Sequence, residues 1–475
     1  MRFYVENFGC RATQADGAAV EGQLREAGWE AASGQEQAEV VVLNTCTVTA
    51  AADQDARASI RRIRRENPDC KIVVTGCYAQ RAPEELAGLP GVELVIGNSH
   101  KHRLADIVVG RLRENWCATS PETGSSGGHS FVPISALQDS AARASGVSRQ
   151  AVRSPEGNPE RLFVSDIFAH TQLLAAPVFD SAGDRTRPNL KVQDGCDNRC
   201  SFCVIPSVRG QSRSLPMEEV LHEINVLVAS GYREVVISGI NLGRWGRDLD
   251  ARRFRLDALI RYVLEHTAVE KLRISSVEPM DWSDELIALM AGSPRIAKHA
   301  HVPMQSGSDR VLRRMHRKYR PWHYREKIEK IYRAIPNAAI GADAMVGFPG
   351  ESDAEFEETR RLVDELPFTY LHVFTYSPRP GTAAASLPKQ VPVAIARERN
   401  RILRELAAQK KLTFMKSFLG RSLPAITLHV FDREYTHALT DNYLKVRLRG
   451  QHDSNLWVTA WIEEVSAGAM TGAVR

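Results

Sequence analysis

Leu190-Lys-Val-Gln-Asp-Gly-Cys196-Asp-Asn-Arg-Cys200-Ser-Phe-Cys203 is the stretch on which the reading of this chain turns. Its apolar start, Leu190–Val192, reads as a buried strand, and three cysteines spaced C-x3-C-x2-C follow directly. Three thiolates within eight residues can wrap one metal centre, because such a loop can curl every sulfur inward. A closed structural zinc site needs a fourth ligand, and none lies nearby in the sequence. Three ligands on a 4Fe–4S cluster instead leave one iron open to a ligand or substrate. A zinc knuckle completed by a distant residue, or three unrelated thiols, is the plainer alternative.

Outward from this loop, residues from about 187 to 380 alternate short apolar runs with helical patterns. Leu190–Val192, Glu234–Ile237, Lys271–Ser275, His299–Val302, Ala338–Asp343 and Tyr370–Phe374 read as strands. Met217–Ser230, Asp284–Ala291, Asp309–His316 and Glu351–Leu366 read as helices between them. Some six β/α units predict a complete or partial TIM-like barrel, with function at the C-terminal ends of its strands. Val393–Phe418 follows as a long helix that Gly420 stops. Leu423–Val430, Tyr443–Leu448 and Leu456–Val465 then read as strands of a small all-β module.

Ahead of the barrel, Arg2–Phe8, Val40–Leu43, Lys71–Thr75 and Leu94–Ile96 read as buried strands, with helices at Gln14–Ala27 and Ala50–Glu66. This alternation predicts a doubly wound parallel sheet. Between sheet and barrel, Pro121-Glu-Thr-Gly-Ser-Ser-Gly-Gly128 opens an irregular insertion in which Leu162–Leu174 forms a local helix or strand. The chain is thus an α/β protein divided into 1–115, 118–186, 187–415 and 416–475.

The 475 residues carry a net charge of only +5, which permits a nucleic-acid partner without demanding one. No apolar run approaches the ~18 residues needed to cross a bilayer, and the N-terminus starts as a strand. The expectation is a cytoplasmic protein with no membrane partner. In that reducing compartment eight cysteines point to metal ligation or catalysis before disulfides.

Three further cysteines occupy equivalent places. Cys10, Cys46 and Cys77 each follow a predicted strand of the N-terminal sheet. Parallel strands put those ends on one edge, where doubly wound folds bind ligands, and neighbouring strands are under ~5 Å apart. Three such side chains can reach one cluster. The plainer reading is three small buried residues. Cys70 precedes its strand and Cys117 closes a helix-like stretch, so neither is assigned to a cluster.

C-x3-C-x2-C with an aromatic before the last cysteine, here Phe202, resembles the signature of radical S-adenosylmethionine (SAM) enzymes. Phe8-Gly9-Cys10, Asn44-Thr45-Cys46 and Gly76-Cys77 narrow the resemblance to the methylthiotransferases, over residues 1–110 and 187–475. The resemblance implies two 4Fe–4S clusters and SAM as cofactors. Cys196, Cys200 and Cys203 would hold the cluster whose open iron chelates SAM, and Cys10, Cys46 and Cys77 an auxiliary cluster that handles the sulfur. One SAM would methylate that sulfur, and another would yield the radical that takes hydrogen from the substrate carbon. No side chain need be a nucleophile, so no catalytic residue is assigned. Phe202 would pack by the SAM adenine, and Ser238 and Gly239 would contact its amino group, though the acidic residue of the familiar Gly-Gly-Glu version is absent. Glu278, Gln305 and Ser306, at later strand ends, would complete the cofactor site. An external electron donor is implied.

The family divides between two tRNA adenosine modifiers and an enzyme acting on a ribosomal-protein aspartate. Asn44-Thr-Cys-Thr-Val-Thr49, Gly76-Cys-Tyr-Ala-Gln80 and the run from His301-Val-Pro-Met-Gln305 through Asp309-Arg310 to Met315 resemble the branch acting on N6-threonylcarbamoyladenosine beside the tRNA anticodon. In the C-terminal module, which resembles the RNA-binding TRAM domain, Lys445, Arg447 and Arg449 alternate with Val446 and Leu448. Period-two spacing puts those three cations on one strand face, suited to phosphates, although such a face is often merely solvated. Arg310, Arg313, Arg314 and Arg317 predict a cationic helix stripe, and Arg57 to Arg65 a second basic stretch. A nonenzymatic metal-containing RNA-binding protein stays open as the alternative from another class.

Overall fold

The computed structural model describes residues 1–117, 161–170, 173, 186–250, 254–466 and 468–475. Most of the 118–186 insertion therefore lies outside the described residues.

The N-terminal sheet is parallel throughout. Its strands are β1 (Arg2–Asn7), β2 (Glu30–Ala31), β3 (Val40–Thr45), β4 (Lys71–Gly76), β5 (Val92–Gly97) and β6 (Leu162–Phe163), in the order β2-β1-β3-β4-β5-β6. Side chains alternate across it because successive Cβ atoms point to opposite faces. Val40 and Val42 pack with Val20 and Leu24 of helix α1 (Arg11–Glu26), while Val41 and Leu43 pack with Ile60 and Ile63 of helix α2 (Ala50–Glu66). Burial on both faces explains why β3 reads as an unbroken apolar run. Within the expected insertion, Leu162–Phe163 becomes the edge strand beside β5, and Ile167–Ala169 forms a 3-10 turn.

The central unit is an incomplete barrel of parallel strands in sequential order. Strands β7 (Asn189–Asp194), β9 (Glu234–Gly239) and β10 (Lys271–Ile274) form one sheet with the short antiparallel β8 (Arg213–Ser214). Strands β11 (His299–His301), β12 (Ala339–Val346) and β13 (Tyr370–Thr375) form another, and one apolar cluster fills both. The helix Val393–Lys416 leads from the barrel to the C-terminal module. That module is a closed barrel of β14 (Ser422–Asp432), β15 (Tyr435–Thr440), β16 (Lys445–Arg449), β18 (Ala469–Val474) and β17 (Trp457–Ser466) in spatial order. Among the described residues, no helix is long and apolar enough to cross a membrane.

Candidate metal centres and the cavity beside Cys10

Strands β1, β3 and β4 are neighbours, with Asn7 opposite Asn44 and Thr45 opposite Gly76, so the residues that follow them emerge together. Gly9 turns the chain with φ +101°, and a Cβ placed there would lie 2.6 Å from the Cys46 Cβ. Only glycine lets Cys10 approach Cys46 this closely. Gly76 repeats the device at the same φ, against the Thr45 carbonyl. Burial pushes the Cys46 thiol up to about 12, and Cys77 and Cys10 beside it add to the shift. The three thiols thus sit within electrostatic reach of one another. Asn98 donates to Cys77 Sγ at 3.6 Å and to the Val208 carbonyl at 2.7 Å.

The second set lies on the loop after β7. Cys196 N–H donates to the Gly210 carbonyl and Ser201 N–H to that of Met315, so the loop is tied down on two sides. Asn241 donates to Cys196 Sγ at 3.4 Å, and Arg317 to Cys200 Sγ at 3.2 Å. Arg317 also pairs with Glu278. Burial pushes Cys203 up to about 12 and raises Cys196, the latter eased by its hydrogen bonds from the Asn198 backbone and Asn241. Burial likewise raises Glu278, against the pull of Arg317. Thiols held neutral by burial deprotonate on binding metal, so the raised values are compatible with ligation. Among the described residues no three His, Cys, Asp or Glu side chains are gathered tightly enough for a single metal ion. A four-iron cube is a larger body whose thiolates stand farther apart, and two three-thiol sets fit it by donor chemistry.

Phe202 packs edge-on against Phe348, with centroids 6.5 Å apart, in a small apolar cluster at the barrel mouth. Ser238 is buried with its hydroxyl unpartnered, and Gly239 lies so close to Gln193 that an added Cβ would sit 2.8 Å from its Oε1. Gln305 adopts φ +63° in the segment after β11, where it bridges to Ala344 of β12. Ser306 is not brought into the group: its hydroxyl is buried 3.2 Å from that of Thr359. Lys445 and Arg449 are exposed and Arg447 half-buried, as alternation requires. Arg447 stands 3.8 Å from Asp432 and Arg449 3.7 Å from Glu463, so two of the three have acidic neighbours.

The cationic helix stripe is corrected. The helix ends at Arg314, His316 turns the chain at φ +56°, and Arg317 is swung inward to Cys200 and Glu278. Arg313 pairs with Asp309, and Arg314 with Glu355. Arg317 is a site residue that sequence reasoning placed on the surface.

Beside Cys10 lies a cavity of about 430 Å³, whose lining includes Gly239 and Ile240, next to the Asn241 that donates to Cys196. Cys10 and Arg11 form one wall, Ser238 to Ile240 and the ends of β10 and β11 another, and Tyr443 of the C-terminal module a third. Sequence reasoning missed Arg11, His299 and Tyr443, whose one signal was position next to a strand end or turn. Three parts of the chain meet here, and the lining holds both a thiol, Cys10, and a buried unpartnered hydroxyl, Ser238.

An incomplete parallel barrel with a three-thiol loop after its first strand is the architecture of a radical SAM enzyme. The profile of the Radical SAM superfamily matches residues 190–363, and that of an uncharacterized protein family, UPF0004, matches residues 2–97. The solved structure of a radical SAM methyltransferase, TsrM, from Kitasatospora setae superposes with TM-score 0.51 over 81% of this chain and 73% of that one, at 15% identity. Threonylcarbamoyladenosine tRNA methylthiotransferase MtaB of Aquifex aeolicus is 33% identical over 95% of this chain and 97% of its own length. tRNA-2-methylthio-N(6)-dimethylallyladenosine synthase of Novosphingobium aromaticivorans is 33% identical over 88% of this chain and 85% of its own. The chain belongs to the radical SAM tRNA methylthiotransferase family. It is a transferase whose cofactors are two 4Fe–4S clusters and SAM.

Proposed function

We propose that this chain adds a methylthio group to C2 of N6-threonylcarbamoyladenosine at position 37 of tRNA. Cys196, Cys200 and Cys203 hold the cluster that binds SAM, and Cys10, Cys46 and Cys77 hold the auxiliary one. The observation that carries this reading is the cavity with Cys10 at one wall and Ser238 at another, since the substrate carbon must lie between the two centres. When bound, the clusters and SAM supply the radical and the sulfur. The chain's own residues position and shield. Arg317 donates to the Cys200 sulfur and is held in place by Glu278. Asn241 donates to the Cys196 sulfur, Phe202 closes the apolar side, and Ser238 and Gly239 line the SAM side of the cavity, with Gln305 assigned to the cofactor from its place in the sequence.

The TRAM-like closed barrel presents Lys445, Arg447 and Arg449 to the backbone of the anticodon stem-loop. Lys445 also lines a second cavity with Arg187, Arg404 and Lys411, which shares Tyr370, His372 and Tyr443 with the first. An external donor supplies electrons, and the setting is the cytoplasm, where tRNA is modified. The relative from Novosphingobium supports a second reading, with dimethylallyladenosine as the target. The test is incubation of reconstituted protein, SAM and reductant with anticodon stem-loops bearing either N6 substituent. Mass spectrometry of the nucleosides is expected to show methylthiolation of the threonylcarbamoyl form; product from the dimethylallyl form alone would replace the first reading with the second.

A further inference from the structure

We propose that Arg11 selects the substrate, by pairing with a carboxylate on its N6 substituent inside the cavity beside Cys10. This rests on the substrate reading above and deepens it. Arg11 directly follows Cys10 and lines the cavity, close enough to His299 and Tyr370 to act on both electrostatically. It has no acidic partner among the described residues, and no Asp or Glu lines the cavity. The other cavity arginine, Arg273, is committed to Glu234 at 2.6 Å. A half-buried guanidinium to which no carboxylate is committed can form a charge-assisted, forked pair with an anion that enters the cavity.

The rest of the wall agrees. His299 stacks on Tyr443 with centroids 4.2 Å apart, and its Nε2 bonds the Tyr370 hydroxyl at 2.7 Å. Its Nδ1 is buried without a partner, as is Nε2 of His301, which lies 3.4 Å from Asp343 but out of hydrogen-bond alignment. Burial and the neighbouring Arg273, His301 and Arg11 hold His299 neutral. The cavity therefore offers stacked rings for a base, a cation with no carboxylate partner among the described residues, and the unpartnered Nδ1 of His299. A threonylcarbamoyl group brings a carboxylate, a hydroxyl and a urea to meet them. A dimethylallyl group brings only carbon, and would leave every one of those polar atoms buried and unpaired.

The test measures binding as well as turnover. Fluorescence anisotropy with the reconstituted protein would give Kd for anticodon stem-loops bearing threonylcarbamoyladenosine, dimethylallyladenosine or adenosine at one position. Wild type is expected to prefer the threonylcarbamoyl form, and Arg11→Leu to cut that preference by roughly 10- to 10²-fold, the range that hydrogen bonds to a charged group supply. Arg11→Lys should fall between, having the charge without the fork. A stem-loop with the carboxylate capped as a methyl ester, tested on unaltered protein, should lose the same factor. A threonylcarbamoyl preference that survives both Arg11→Leu and the ester overturns the inference and leaves the substrate reading standing. A wild-type preference for the dimethylallyl form overturns both.

Discussion

Arg209, on the short helix after the barrel's cysteine loop, donates to Asp16 of α1 at 3.0 Å, with both side chains buried. Lys191 of β7 contacts Asp16 and Asp194 together, and Lys101 reaches Asp16 at 3.1 Å from the 3-10 turn after β5. The two cysteine-bearing units are therefore joined by buried charges as well as by packing of Cys77 against Val204 and Val208. Position of one centre relative to the other is set by this junction.

Asp16→Asn removes the anion that three buried cations share, which should cost about 3–5 kcal/mol, the range for breaking a buried pair. Burial alone would raise the Asp16 carboxyl, but Arg209, Lys101 and Lys191 outweigh it and hold it at about 2, below its ordinary 3.8. With the folded value depressed, the stabilisation is whole above roughly pH 4 and is lost as pH falls through about 2. Thermal melts across that window should show the loss in wild type and lack the Asp16 component in the variant.

Gly9→Ala forces a side chain onto φ +101° and into Cys46. The backbone strain alone is ~1–3 kcal/mol. The expected outcome is loss of the N-terminal iron with the barrel iron retained, read by iron analysis and electron paramagnetic resonance.

Arg317→Leu withdraws a donor and a positive charge from the Cys200 sulfur and leaves the half-buried Glu278 without its partner. Fewer hydrogen bonds to sulfur and less positive charge nearby lower a cluster's reduction potential. A redox titration should find the barrel cluster more negative than in wild type and the auxiliary cluster unmoved; equal shifts in both would assign Arg317 a merely structural part.

Among the described residues Lys445 has no acidic neighbour comparable to those of Arg447 and Arg449, so Lys445→Ala should reduce stem-loop affinity most of the three. Removing a cation that neutralises one phosphate should lessen the slope of log K against log salt by about 0.7–0.9. Binding measured from low to moderate salt for each single variant checks the order.

Much of this was legible in the residues, and the parts that were not share a cause. Long elements carry their own signals: Ala50–Glu66 forms as read, and Val393–Phe418 ends only two residues early, at Lys416. The cysteines could be placed because each follows a strand, and strand ends of a parallel sheet share an edge. Strands β15 and β18 escaped because Tyr435–Thr440 and Ala469–Val474 are short or small-residue runs that closure of the barrel holds in place. Arg317 escaped because its spacing continues the helix period, and the turn at His316 that breaks it has no glycine or proline to mark it. The cavity was invisible in principle, since no local pattern links Arg11, His299 and Tyr443.

Iron counting after anaerobic reconstitution tests the central claim most directly. Wild type should bind about eight irons, and Cys196→Ala/Cys200→Ala/Cys203→Ala and Cys10→Ala/Cys46→Ala/Cys77→Ala about four each. A wild type that holds only about four, or a triple variant that holds none, would contradict two independent clusters on these six cysteines.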